Sequence, residues 1–160
     1  ISMKKIVFIF IAVLLSLSMS AQNFRHYTLS EVVDTALYLN QNFVNQKSYF
    51  IGKPFSEVLK VYQLDLPLKY LSPNNTSPWN DKDGEMYING AGLFWHTEAE
   101  CMKILYYNIN ALSCLNVDFE LPYNINLFNF MDIYKTPEEM ALHLKDILVK
   151  DIRVIEKTSK

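Results

Sequence analysis

The chain has 160 residues, of which 50% are hydrophobic and 20% charged, a composition typical of a folded domain and not of a disordered tail. Its 15 basic and 17 acidic residues give a net charge of −2, so we expect no basic surface for binding nucleic acid. Two cysteines and four glycines exclude a four-cysteine zinc site and leave little material for a glycine-rich phosphate loop.

The first residues have the three parts of a secretory signal peptide. A positive head at residues 3–5 precedes an apolar run at residues 6–15 and a small, polar stretch at residues 16–22. The apolar run is about half as long as the ~20 residues that a membrane-spanning helix needs. A permanent transmembrane helix is therefore the weaker interpretation. The small residues that follow the run favour cleavage after Ala21, with cleavage after Ser20 as the alternative.

Removal of residues 1–21 leaves residues 22–160, a chain of 139 residues with a net charge of −4. We expect this part to form one globular domain, which buries roughly two thirds of its unfolded surface without help from a cofactor. It contains no second apolar run of 18 or more residues. The mature form is therefore expected to lack a membrane span and to be periplasmic or secreted by a bacterium.

Two amphipathic helices are predicted in the N-terminal part. Thr28 and Glu31 form a capping box in front of apolar residues spaced for a helix over about 29–40. Pro54 is well placed as the first residue of a second helix, over about 54–63.

Strand patterns dominate the middle of the chain. Pro67 either restricts a strand near residues 66–71 to the edge of a sheet or lies at the start of that strand. Residues 72–84 are rich in turn formers and predict a loop. A short strand is one interpretation of residues 43–51. Further strands are predicted at 85–89, 92–95, 103–110, 114–121 and 125–131.

The last helix begins with a second capping box, Thr136 with Glu139, and extends past residue 148. Leu142 and Val149 fall opposite its core stripe, so they are candidate contacts of a homodimer. A final edge strand is predicted near residue 152. The chain is thus expected to be α+β, with an antiparallel sheet of about four to six strands packed with two N-terminal helices and one C-terminal helix.

The densest polar cluster is at residues 96–100. If this segment is extended, His96, Glu98 and Glu100 share one side, as in part of a metal site. If it is helical, Thr97 and Glu100 form another capping box and His96 lies outside the helix. The sequence has no second cluster to complete a metal site, so we assign no metal ligand and no cofactor.

Cys101 and Cys114 leave two interpretations open. They could form a disulfide in an oxidising compartment, or they could remain free, partly buried thiols. Thiol catalysis would need a nearby histidine, and no local catalytic pattern surrounds either cysteine. We assign no catalytic residue, and a small exported hydrolase or thiol enzyme that uses His96 or a cysteine is the alternative function.

Aromatic side chains flank the predicted turns, and a loop-rich rim of aromatics is typical of a binding surface. Trp79, Tyr87 and Trp95 are the candidate contacts. The leading hypothesis is therefore a non-catalytic, exported protein that binds an unknown protein or glycan in the cell envelope or outside the cell.

Overall fold

The fold is a four-stranded antiparallel sheet packed with helices. The computed structural model describes residues 23–32, 34–76, 84–107 and 112–156. The strands lie in the order β1-β2-β3-β4, which confirms the predicted α+β class and antiparallel sheet. They are β1 (Tyr70–Asn75), β2 (Ile88–Phe94), β3 (Ser113–Phe119) and β4 (Val149–Glu156).

Seven α-helices occur in the described ranges, and a π-helical turn at Asn40–Val44 continues the second of them. None of these helices is long and apolar enough to cross a membrane. The helices are α1 (Leu29–Val32), α2 (Thr35–Leu39), α3 (Lys47–Phe50), α4 (Phe55–Asp65), α5 (Glu98–Tyr107), α6 (Leu127–Ile133) and α7 (Pro137–Leu144).

One face of the sheet forms the main hydrophobic core. Strand register places Leu71, Leu93 and Leu115 in one row across β1, β2 and β3, and all three are buried. Helix α4 covers this face with an apolar stripe that includes Val58 and Tyr62. Because each fully buried large side chain contributes about 1.5–3 kcal/mol, this layer accounts for much of the stability of the domain.

The other face of the sheet is partly polar. The Nδ2 of Asn74 donates to the Oδ1 of Asn116 at 2.6 Å, and the Nδ2 of Asn116 donates to Asp118 at 3.1 Å. Arg153 then donates to both carboxylate oxygens of Asp118, at 2.9 and 2.8 Å. Gly90 lies within this row, where a Cβ atom would come within 2.4 Å of a β3 carbonyl oxygen. The row therefore requires glycine at this position.

The segment before α1 is held against the domain by a buried amide. Asn42 is fully buried, its Oδ1 accepts from the Tyr27 N–H at 2.9 Å, and its Nδ2 donates to the Tyr27 carbonyl at 2.9 Å. Phe24 packs its ring on Phe50, and His26 Nε2 lies 2.7 Å from Asp65 Oδ2. The described chain is thus ordered from its first residues, whereas the predicted signal peptide at residues 1–21 lies outside the described residues and stays a prediction.

Several predicted elements were wrong. Residues 103–107 are helical within α5, and residues 127–131 belong to α6, although both segments were predicted as strands. Aromatic and branched residues favoured a strand in both segments. In the fold, side-chain hydrogen bonds at the helix N-termini stabilise the helical conformation instead. The interpretation of residues 43–51 as a short strand is also wrong, because they are mainly helical. Residues 72–75 of the predicted loop are part of β1.

The last helix is shorter than predicted. It ends at Leu144, and Val149 begins the edge strand β4, which confirms the final strand predicted near residue 152. Leu142 is 65% exposed, whereas Val149 is fully buried. Val149 therefore cannot contact a partner in this fold, because its side chain is used in the core. Homodimerisation itself remains a prediction, now through Leu142 without Val149.

Candidate functional site

Two of the three predicted aromatic contacts, Tyr87 and Trp95, are among the described residues, and they lie at opposite ends of β2. Tyr87 immediately precedes β2 and Trp95 immediately follows it, so they lie about 26 Å apart at ~3.3 Å per residue. The hydroxyl of Tyr87 donates to Glu85 at 2.9 Å, and Trp95 is partly buried against the core. Trp79 lies outside the described residues, so its predicted role is not addressed by the fold.

The cysteines are free and buried in a small cluster with Phe94. Burial raises the pKa of Cys101, with the nearby carboxylates of Glu100 and Glu98 adding to the effect. Burial, with a smaller contribution from Cys101, raises the pKa of Cys114 to about 12. Reactive cysteines need a lowered pKa, so both thiols are in the wrong environment for nucleophilic catalysis.

His96 lies outside helix α5, as the helical interpretation predicts. The Thr97 N–H donates to Glu100 Oε2 at 2.7 Å, and the Glu100 N–H donates to Thr97 Oγ1 at 3.3 Å. Hydrogen bonds from the backbone and side chain of Thr97 lower the pKa of Glu100. This carboxylate is therefore engaged in capping the helix. Within the described part of the chain, no group of three or more His, Cys, Asp or Glu residues could hold a metal ion.

The best candidate site is a groove of about 300 Å³ between the start of β1 and helices α6 and α7. It brings together residues from both halves of the chain. Concave sites with apolar walls and a few polar groups are the usual form of ligand sites. The lining residues are Lys69, Tyr70, Leu71, Glu98, Met131, Tyr134, Lys135, Pro137 and Met140.

The helical wall of the groove is fixed by local sequence. Thr136 and Glu139 form the predicted capping box, with Pro137 in the first turn of α7. Glu139 also accepts from the backbone N–H of Lys135 at 3.0 Å. These backbone hydrogen bonds, from Lys135 first and Thr136 second, lower the pKa of Glu139. The turn that carries Lys135 is therefore held rigidly at the entrance to α7.

Tyr134 is held in place by aromatic neighbours. Its hydroxyl lies 2.8 Å from Nδ1 of His143, and the two ring centroids are 4.6 Å apart. Phe130, buried in the core, packs against both rings, at centroid distances of 5.0 Å from Tyr134 and 5.6 Å from His143. The site between the two lysines, Tyr134 and the start of α7 is thus preformed. A preformed site loses less conformational entropy when a ligand binds.

The floor of the groove is apolar and its rim is charged. Leu71 and Met140 are buried, whereas Lys69, Lys135 and Glu98 are exposed. The ammonium group of Lys135 donates to the Met131 carbonyl. Among the described residues, no carboxylate forms an ion pair with either lysine. Glu98 lines the same groove, and after the hydrogen bonds from Thr97 the charge of Lys69 helps to lower the pKa of Glu100.

Other surface depressions are more open. One of about 290 Å³ lies between α4 and α7 around Leu59 and Leu142. Another, also of about 290 Å³, shares Tyr134 with the groove and extends along α6 to Asn126. Neither has a pair of unneutralised lysines beside a buried apolar floor, so the groove at β1 is the stronger candidate.

Comparison of the chain with protein-family models, with curated proteins and with solved structures finds no match.

Proposed function

We propose that this protein is a non-catalytic binding protein, exported to the bacterial cell envelope or exterior, and that the groove between β1 and α7 holds its partner. The observation that supports this proposal is the combination of a buried apolar floor, Leu71 and Met140, with two lysines that form no ion pair with a described carboxylate. Such a site provides apolar burial for affinity and charge for orientation.

Export is supported by the N-terminal sequence. A positive head, a short apolar run and a small-residue stretch precede the first described residues. The proposal expects the processed chain to begin at residue 22 or 21, a point that N-terminal mass spectrometry of the exported protein measures directly.

A non-catalytic role is supported by the chemistry of the candidate nucleophiles. A thiol enzyme requires a thiolate, and burial of Cys101 and Cys114 raises both pKa values. A site built on His96 requires converging carboxylates, and Glu100 is used in a helix cap. His96 Nδ1 lies 4.0 Å from this one carboxylate, which is fewer than the two carboxylates that the alternative, an exported hydrolase or thiol enzyme, expects around His96.

Site-specific photo-cross-linking in the native host tests the binding role. A photoreactive amino acid replaces Met131, which is 42% exposed in the groove wall. The matched control replaces Met102, a 63% exposed methionine of α5 that does not line the groove. We expect a light-dependent adduct from position 131 in the envelope or secreted fraction, and none from position 102.

Equal adducts from both positions, or no adduct from position 131, would contradict the proposed binding site. Thermal melting of both variants is the control for folding, because each side chain is exposed and its replacement should leave stability nearly unchanged.

A further inference from the structure

The geometry points to one class of partner: the groove binds the carboxy-terminal end of another polypeptide, which ends in an apolar residue and adds as a strand to the edge of β1. This inference rests on the proposed function and names the chemistry of its partner.

The edge of β1 provides the backbone contacts. This strand is at the end of the sheet, and in the described ranges its backbone hydrogen bonds are made with β2 alone. Every second residue of an edge strand directs its N–H and C=O groups away from the sheet, where an extended peptide can pair with them. Pro73 lacks an N–H, and the Lys69 N–H already donates to the Phe94 carbonyl of β2 at 3.0 Å. By this alternation, the outward-facing backbone groups at the start of the strand are those of Tyr70.

The shape of the groove suits an extended chain. Its two long walls are the beginning of β1 on one side and the α6–α7 corner on the other. A segment lying between them has backbone partners along the strand and side-chain contacts along the helices. The volume of about 300 Å³ has room for the last few residues of a chain and none for a folded domain.

The floor selects an apolar last side chain. Leu71 and Met140 are buried at the bottom of the groove, and Tyr70 and Met131 contribute its walls. The Tyr70 ring packs with Phe94, at a centroid distance of 5.3 Å, in the small cluster that contains the two cysteines. A polar side chain placed on this floor would lose its hydration without a hydrogen-bond partner.

The charges on the rim favour a single carboxylate. Lys69 and Lys135 both line the groove, and no described carboxylate forms an ion pair with either. Glu98 is on the same rim and repels a segment with several acidic side chains. A peptide with one terminal carboxylate supplies a negative charge for the two lysines and adds no further acidic group beside Glu98. An uncharged interior segment of a peptide would leave the lysines without a counter-charge.

A C-terminal peptide library tests this inference on the protein produced from the full sequence. Peptides with free carboxyl ends and seven random final residues are selected on the protein, and a selected peptide is synthesised with either a free or an amidated end. We expect apolar residues at the last position. We also expect amidation to weaken binding at least tenfold, the loss typical of one charged hydrogen bond.

Three lysine variants locate the carboxylate. Lys69→Met and Lys135→Met keep the apolar stem and remove the charge, so each should weaken binding of the free-acid peptide about tenfold. Lys150→Met makes the same change on an exposed residue of β4, at the opposite edge of the sheet, and should leave the affinity unchanged. N-methylation of alternate peptide nitrogens should weaken binding only at the residues that pair with β1.

Five outcomes decide the result. Loss of affinity on amidation and in both groove variants, with Lys150→Met unaffected, supports the inference. No enriched peptide overturns it, and so does equal binding of the free and amidated forms. Binding of a free fatty acid such as palmitate in place of any peptide overturns it too, although the groove would remain a binding site. A cross-link from position 131 to an internal segment or to a glycan would likewise refute the chain-end partner while the proposed function stands.

Discussion

Replacing Asn42 with alanine should destabilise the protein strongly, although Asn42 is not one of the residues that line the groove. The side chain is fully buried and forms hydrogen bonds to the N–H and C=O of Tyr27 and to the Tyr38 carbonyl, at 2.9, 2.9 and 3.1 Å. Each such bond contributes about 1 kcal/mol, and leaving the Tyr27 N–H without a partner adds to the loss. We expect a decrease of about 3 kcal/mol in the free energy of unfolding.

Urea denaturation measures this loss, and Asn45→Ala is the matched control. Asn45 is exposed on the same helical segment, so its replacement should change the free energy of unfolding by less than about 0.5 kcal/mol. Hydrogen exchange at the Tyr27 amide should also accelerate in Asn42→Ala, because the acceptor of that N–H is removed. Similar stabilities for the two variants, with Tyr27 still protected, would refute the argument that this amide anchors the N-terminal segment.

Three further predictions concern the sheet, a thiol and an ion pair. Gly90→Ala should lower the free energy of unfolding, measured by urea denaturation, by about 1–3 kcal/mol, because its Cβ would lie 2.4 Å from a carbonyl oxygen of β3. In Gly92→Ala the nearest atom to the new Cβ is a ring carbon of Phe94 at 3.1 Å, so the loss should be smaller. Equal losses in the two variants would contradict this prediction. At pH 8, iodoacetamide should modify Cys114 more than about 100-fold more slowly in the native protein than in the unfolded chain, because burial raises the pKa of Cys114 to about 12. Similar rates in the two states would show that the thiol is not buried. A hydrogen bond from Lys47 lowers the pKa of Asp151 below 3.8, so the stability that this pair contributes is present above that pH and lost as the pH falls further. Lys47→Met should therefore destabilise the protein at neutral pH and have little effect near pH 2, and an effect independent of pH would contradict the linkage.

Features determined by neighbouring residues could be predicted from the sequence. The capping boxes at Thr97–Glu100 and Thr136–Glu139 depend on hydrogen bonds within four residues, and both are present. The alternation of Leu115 and Val117 with polar residues also predicted β3, because a half-buried strand requires it.

Composition misled the prediction where a cap competed with strand propensity. The aromatic residues near Tyr106 and Phe128 favoured strands. In the fold, the side chain of Asn126 accepts from the Asn129 N–H at 3.1 Å and starts α6, while Thr97 starts α5. A single hydrogen bond at a helix start thus outweighed a weak preference spread over several residues.

The groove could not be predicted because it depends on the order of strands. Lys69 and Lys135 are 66 positions apart in sequence, and they line one site only because β1 is the edge strand nearest α7. Conversely, Tyr87 and Trp95 are close in sequence, yet β2 separates them by its whole length. Proximity along the chain was therefore a poor guide to proximity in the fold.

The most direct test of the proposed binding role is the yield of the photo-cross-link from position 131 when the rim loses its charge. The double variant Lys69→Met/Lys135→Met is compared with Lys145→Met/Lys150→Met, which removes the same charge from exposed residues outside the groove. We predict that the adduct decreases at least tenfold in the first variant and is unchanged in the second. Equal yields in the two variants would show that the groove does not hold the partner through its lysines.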